Sequence, residues 1–276
     1  MNKIPVYAST GAFITRKNNR DYHLIAKTAP RLHADGVEFM MYESWDGMEG
    51  EIARELKENR VSVPVMHMDK TIGDVLSEGG GGAVREAVRR AERDIKTAAF
   101  LGAEKLVLHL WNGPLSDGRF DLCLSALPNL YEISKREGIL LTVENVICKS
   151  GPALLRLLEI KNAFEDACFT YDTKMAHLRG ENEMLGTNEF SHILSSGAIR
   201  HLHVNDSSLS QHALGRLMVL HPGEGDVDFK AFFSLVKEAG FTGSATVEST
   251  SVNEDGSVQI DKLNKSLAFA RLGLNG

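Results

Sequence analysis

The stretch LLTVENVICKSGPALLRLLEIKNAFEDACFTYD, residues 140–172, holds one complete unit of the fold. LLTVEN is a short apolar run, too brief for a helix and without the polar alternation of a sheet face that meets water. PALLRLLEIKN (152–162) switches to helical spacing, and CFTYD (168–172) returns to a strand. A continuously apolar strand is buried on both faces, which points to a parallel sheet covered by its own crossover helices. Both strands stop on a carboxylate, Glu144 and Asp172, a group that a dry core does not tolerate unpaired.

The same unit recurs on either side. Strand-like runs fall at 4–9, 36–41, 61–68, 105–111, 140–145, 168–172, 199–206 and 244–249. Helical patterns such as GEIARELKEN (50–59) and FKAFFSLVKEAG (229–240) lie between most of them. In AVREAVRRAERDIKTAAFLG, Ala87, Ala91, Ile95 and Ala98 or Ala99 share one helix face. Eight strands at a period of about 30 residues predict an α/β chain folded as a (β/α)8 TIM barrel, one domain over 1–276. A doubly wound open sheet would want a glycine fingerprint after the first strand, and STGAFITRKN (9–18) lacks GxGxxG. SEGGGGAV (77–84) lacks the Lys-Ser/Thr of a phosphate loop and reads as a loop beside the barrel mouth, a lid or a plain connector.

Composition sets outer limits. The chain is 43% hydrophobic, enough for a sizeable core, and carries a net charge of −6 with both signs interspersed. A nucleic-acid partner, which favours a basic patch, is not expected. Three cysteines, Cys123, Cys148 and Cys168, are far apart and show no CxxC spacing, so they read as buried thiols of a reducing compartment. The opening MNKIPVYAST has no signal-like apolar region and no apolar run reaches membrane-spanning length, so a cytoplasmic protein is expected.

Four of the runs end on residues that ligate metals: Glu144, Asp172, His203 and Glu248. A capped or salt-bridged polar ending would account for any one of them. Together, at equivalent positions on four consecutive strands, three carboxylates would repel one another without a cation. In a barrel the strand C-termini converge on one mouth, so the four define a candidate metal centre. Such an oxygen-rich set with one imidazole suits one divalent ion, Mn²⁺ in the first place, with Mg²⁺, Co²⁺ or Zn²⁺ as alternatives. His67 and His109 also end strands and read as substrate contacts or ligands of a second metal. Trp111 is a candidate apolar wall or a packing aromatic, and Glu38 a site-lining group or the partner of a basic residue. Lys174 and His177 are candidate contacts to substrate oxygens, with a solvated loop as the alternative. Asp206, three residues past His203, is a candidate acceptor that would fix its tautomer. His201 shares a strand face with His203. His23, His33, His192 and His212 read as surface residues, and Asp228 as a helix N-cap.

The ordered motifs GVEF (36–39), LGAEKLVLHLWNG (101–113), TVEN (142–145), YDT (171–173), HLHVND (201–206), PGEGDVDF (222–229) and TVES (246–249) resemble the xylose isomerase-like TIM-barrel superfamily of sugar isomerases and epimerases, which also contains endonuclease IV. The resemblance covers nearly the whole chain and implies that Glu144, Asp172, His203 and Glu248 are the metal ligands. Two departures stand out. Many members carry a histidine three residues after the aspartate, where this chain has Met175, with His177 displaced. The endonuclease branch holds a trinuclear zinc site needing His67, His109 and an Asp-x-His ahead of the PGEG loop, where this chain has Leu217-Met218-Val219.

The expected activity is a sugar or polyol isomerisation or epimerisation, by proton transfer α to a metal-polarised carbonyl through an enediolate. Glu144 and Glu248, from strands five and eight, are the expected proton carriers. Alternatives are a metal-dependent keto-polyol dehydratase, an endonuclease IV-like metallo-phosphoesterase and a non-catalytic sugar-binding barrel. No clustered Arg/Lys marks a phosphate pocket, so an unphosphorylated sugar or polyol is the expected substrate, and a homo-oligomer is a further expectation from the resemblance.

Overall fold

In the computed structural model, described for residues 3–212 and 219–276 with the side chains of 211 and 212 excepted, eight strands close into a barrel. They are β1 (Val6–Ser9), β2 (Val37–Met40), β3 (Val65–His67), β4 (Lys105–Leu108), β5 (Leu140–Glu144), β6 (Cys168–Asp172), β7 (Ile199–His203) and β8 (Ser244–Val247). Each pairs in parallel with its neighbours, and β1 closes on β8. β2, β3, β4, β5, β7 and β8 stop one or more residues short of the C-terminal ends of their apolar runs, at the mouth. The residues just beyond, His109, Asn145, Asn205 and Glu248, are then free to aim side chains at the site.

Helices on the outside complete the crossovers. The longest, Gly80–Leu101, buries Ala87, Ala91, Ile95 and Ala98 completely, as its spacing predicts, and ends at Gly102 in the left-handed region (φ 79°). Small alanines on that face let the helix axis approach the sheet. Phe229–Glu238 starts at Asp228, whose Oδ1 accepts from the Ala231 amide at 2.9 Å.

The glycine run is not a loop. Ser77 and Glu78 finish the helix Ile72–Glu78, Gly79 and Gly80 turn the chain (φ 76° and 79°), and the following glycines form the first turn of the long helix. Gly79, at φ 76° and ψ 172°, sits where only glycine fits. The three cysteines are buried and unpaired. Among the described residues no helix is long and apolar enough to cross a membrane.

Candidate metal centre at the barrel mouth

The barrel interior is polar toward the C-terminal ends of the strands. Period-two alternation turns Thr142 and Glu144, Thr170 and Asp172, and His201 and His203 to the same inner side. A register shift between Phe169 and Thr170 sets Thr170 opposite His201 and Asp172 opposite His203. That slip brings two of the expected ligands side by side.

Glu144, Asp172, His203 and Glu248 each offer a donor atom within 4.8 Å of the others. His203 stands at the centre. Its Nδ1 lies 3.1 Å from Glu144 Oε1, 3.4 Å from Glu248 Oε2 and 4.0 Å from Asp172 Oδ2. Its Nε2 lies 3.2 Å from Glu38 Oε2, which also meets His201 Nε2 at 2.9 Å. Glu38 is completely buried, so it faces these two rings and not the mouth. An imidazole–carboxylate contact of this kind can orient a ligating histidine: with Nε2–H donated to Glu38, Nδ1 would be open to a cation that displaces its proton.

Asp172 divides its two oxygens between jobs. Oδ1 caps the short helix Thr173–His177, accepting from the amides of Lys174 (2.7 Å) and Met175 (3.0 Å). Oδ2 faces the cluster and takes Lys174 Nζ at 3.3 Å and Asn205 Nδ2 at 3.2 Å. Asn145 and Asn205 extend the sheet by one rung past its last strand pairs. Asn145 accepts from the Asp172 amide and donates to the Asp172 carbonyl (2.6 and 3.2 Å). Asn205 accepts from the Glu248 amide and donates to Glu248 Oε2, both at 3.0 Å. Strand-end patterning alone does not single out these amides; their place directly after the ligand motifs, in TVEN and HVND, is the signal that could have found them.

Electrostatics fit the donor set to a cation. Burial disfavours ionisation of Glu38 and Glu144, yet the neighbouring histidines, His203 foremost, hold both carboxyls well below the usual range. Burial raises Asp172, with Lys174 opposing and Glu144 and Glu248 adding to the rise. Burial would lower His203, but Glu248, Glu38 and Glu144 around it push it well above its ordinary value. Four acidic side chains, Glu38, Glu144, Asp172 and Glu248, thus crowd around the His203 ring and the Lys174 ammonium. The deficit of positive charge is what a divalent ion on oxygen-rich ligands would fill.

The remaining expected residues fall in two groups. His67 and His109 both bring Nε2 to Glu144 Oε2, at 3.2 and 2.8 Å. Their Nδ1 atoms face the Met68 carbonyl and Asn112 Oδ1, at 2.8 and 3.0 Å. Lys174 lines the mouth cavity. Trp111, Asp206 and His177 are placed otherwise. Trp111 is fully buried, donating Nε1–H to the Val146 carbonyl (2.9 Å) and meeting Phe120 edge-on, so it packs inside the wall instead of facing a ligand. Asp206 does not touch His203. Its carboxylate gathers the amides of Ser207, Gly223, Gly225 and Val227, and so folds the PGEG loop. A Cβ at Gly225 would lie 2.4 Å from Asp206 Oδ1, which is why glycine stands there. His177 is buried, and it does not line the mouth cavity. His221 is likewise a satisfied interior residue, between Ser266 Oγ (2.7 Å) and the Thr250 carbonyl (3.2 Å). The side chain of His212 and the segment Leu217–Met218 lie outside the described residues.

Above the cluster the mouth opens into a cavity of about 420 Å³, which Glu248 and Lys174 share with the loops after β1, β2 and β3. Arg16, Arg20 and Lys70 also line it. Basic residues that are not clustered in sequence thus line one cavity, brought there by loops that follow different strands.

A closed parallel barrel with an imidazole and three carboxylates at the C-terminal ends of four adjacent strands defines a class, the (β/α)8 barrels that carry their site at the mouth. Within it, the chain belongs to the xylose isomerase-like TIM-barrel family, whose sequence profile matches residues 27–271. No curated protein matches the chain significantly. Among solved structures, D-allulose 3-epimerase from Methylomonas sp., in complex with D-allulose, superposes with a TM-score of 0.70 at 16% identity, covering 99% of this chain and 98% of that one. A D-tagatose 3-epimerase-like protein gives 0.71 at 18% identity, over 98% and 99%. D-psicose 3-epimerase from Clostridium cellulolyticum H10, with D-tagatose, gives 0.71 at 11% identity, over 99% and 100%.

Proposed function

We propose that the protein is a divalent-metal-dependent sugar or polyol isomerase or epimerase. The observation that carries this reading is the convergence of Glu144, Asp172, His203 and Glu248 on one point at the barrel mouth, open to a cavity. The sugar epimerases among its structural neighbours support it. An ion held by those four residues, Mn²⁺ being the preferred one, would polarise a substrate carbonyl and lower the barrier to removing the adjacent proton.

The chain's own residues supply the rest. Glu144 and Glu248 are the proton carriers, one withdrawing the proton α to the carbonyl and the other returning it to the enediolate. Glu38 and Asn205 hold the ligands in register, and Lys174 balances Asp172 while reaching the cavity. A keto-polyol dehydratase would use the same enolate and then expel water, so it is the nearest alternative.

The two histidines behind Glu144 favour a second reading. With its Nδ1–H donated to Asn112 Oδ1, a neutral His109 would turn its Nε2 lone pair at Glu144 Oε2, a repulsion that a second cation, shared with His67, would relieve. Burial lowers His109, which keeps it neutral. Such a two-ion centre belongs with a metallo-phosphoesterase.

Elemental analysis of protein purified with Mn²⁺ or Zn²⁺ and solvent-deuterium exchange into D-fructose and D-allulose test both readings. One ion per chain, with exchange lost in Glu144→Gln and Glu248→Gln, is the expected result. Full exchange in both variants would refute the proton-carrier assignment, and two tightly held zinc ions with phosphodiester cleavage would favour the second reading.

A further inference from the structure

The mouth cavity is lined by acids and bases whose charges are unequally compensated. Of its three acids, Glu248 belongs to the ligand cluster; Glu43 meets Arg90 Nη1 at 3.1 Å, and Asp69 lies 3.6 Å from Arg90 and 3.5 Å from Arg93. Asp69 also accepts from the Thr71 amide and hydroxyl, at 2.9 and 2.7 Å. Both carboxylates are therefore committed to arginines of the long helix behind the wall. The bases are not so committed. Arg16, Arg20 and Lys70 have no carboxylate within 4.0 Å among the described residues, whereas Lys174 is taken by Asp172.

Arg20 is held in place by several groups. Its guanidinium lies 4.4 Å from the centroid of the Tyr42 ring and donates to Ser44 Oγ at 3.3 Å, while Trp45 Nε1–H donates to its carbonyl at 3.2 Å. Tyr42 is itself fixed, its hydroxyl donating to the Ile14 carbonyl at 2.8 Å. The loop that carries Arg16 and Arg20 is locked by the Thr15–Asn18 capping box. It then passes through two successive non-glycine residues in the left-handed region, Asn19 (φ 57°) and Arg20 (φ 51°). Backbone of that kind persists only where surrounding contacts impose it, and it concentrates at binding sites. Lys70 lines the same cavity from the loop after β3; burial opposes ionisation of Glu248 there, while His203 and then Lys70 hold its carboxyl below the usual range.

Resting on the isomerase or epimerase reading, we infer that the substrate carries an anionic group, a phosphate or a carboxylate, which Arg16, Arg20 and Lys70 seat at the outer end of the cavity while the reacting carbons lie over Glu144 and Glu248. Arginine offers planar paired donors to either oxyanion, and lysine adds a point charge. The barrel interior is strongly acidic, so an anion bound there without these cations would be repelled. Charge at the rim thus orients the ligand, the anionic end outward and the carbonyl inward.

Calorimetric titration with inorganic phosphate and with malonate, on the Mn²⁺-loaded and the chelator-treated protein, tests this directly. At least one of the two anions is expected to bind both forms, and the tighter one identifies the substituent. Arg20→Met and Lys70→Met are each expected to weaken that binding tenfold or more, with Lys70→Arg restoring most of it. Loss of anion binding on metal removal, equal binding in the variants, or no binding at all would overturn the inference. The turnover arm compares D-fructose 6-phosphate and D-glucuronate with D-fructose in the loaded enzyme. A charged substrate is expected to show the lower KM, and Arg20→Met to raise that KM with little change in kcat. Neutral D-fructose turned over preferentially and equally by parent and variants would sink the inference and leave the epimerase reading intact. Anion binding that depends on Arg20 and Lys70, with no sugar of either kind turned over, would sustain the anion site and sink the epimerase reading.

Discussion

Glu38→Gln isolates the group that would set the metal-binding face of His203. Glu38 Oε2 takes Nε2 of both His201 and His203, at 2.9 and 3.2 Å, in a site closed to water. Glutamine has nearly the same shape, so packing is kept and only the charge and one acceptor oxygen are lost. One amide oxygen can still accept from His203, but as a neutral hydrogen bond of about half the strength. Removing such a carboxylate behind a ligating histidine weakens metal affinity by about 10–100-fold, or about 1.4–2.8 kcal/mol. The assay is competition for Mn²⁺ against a chelator of known affinity, with the melting temperature of the metal-free protein recorded in parallel. The expected result is weaker metal binding with a metal-free fold that still melts cooperatively. A Glu38→Gln protein that holds Mn²⁺ as tightly as the parent would show that Glu38 does not orient His203 for a cation, and the logic of the centre would have to be redrawn.

Asn205→Ala removes two bonds to carboxylates and leaves the Glu248 amide without its acceptor, so a loss of about 2–4 kcal/mol is expected in chemical denaturation. An unchanged midpoint would refute its role as the bridge from β7 to β8. Trp111→Phe should cost stability, about 1–3 kcal/mol for the lost Nε1–H bond and a small void, yet leave the kinetic constants of any turnover unchanged. A change in KM with stability intact would put the ring back at the ligand. Burial pushes the Glu181 carboxyl up from 4.5 to about 7, although it accepts from the Ala153 and Leu154 amides. The folded state then holds that proton more tightly than the unfolded one, so this contribution is complete below pH 4.5 and fades as pH rises through 7. Glu181→Gln should flatten that part of the stability–pH curve by about 1–3 kcal/mol, and a curve parallel to the parent's would contradict it.

The barrel and its four-residue cluster were legible because each rests on local pattern. Continuous apolar runs, helical spacing between them and a polar residue at each strand end are properties of neighbouring residues, and period-two alternation places Glu144, Asp172 and His203 on the inner face. Individual polar residues were harder to place. Asp206 looks in sequence like a partner of His203, but strand alternation and the turn after it swing its carboxylate into the PGEG loop. Trp111 follows a mouth histidine by two residues and still packs inside the wall, where its indole N–H finds the Val146 carbonyl. The glycine run reads as a loop because glycine disfavours helices, yet the contacts of the long helix beyond it outweigh that propensity.

By itself, then, the sequence determined the strand count, the parallel topology and which residues end the strands, since burial and periodicity act over a few residues. Only the tertiary structure decided how side chains from different strands share their hydrogen bonds and charges. Glu38 meets His203 across 165 residues of chain, and Arg16, Arg20 and Lys70 line one cavity from loops after different strands. Those pairings depend on barrel closure and strand register, which no local pattern encodes.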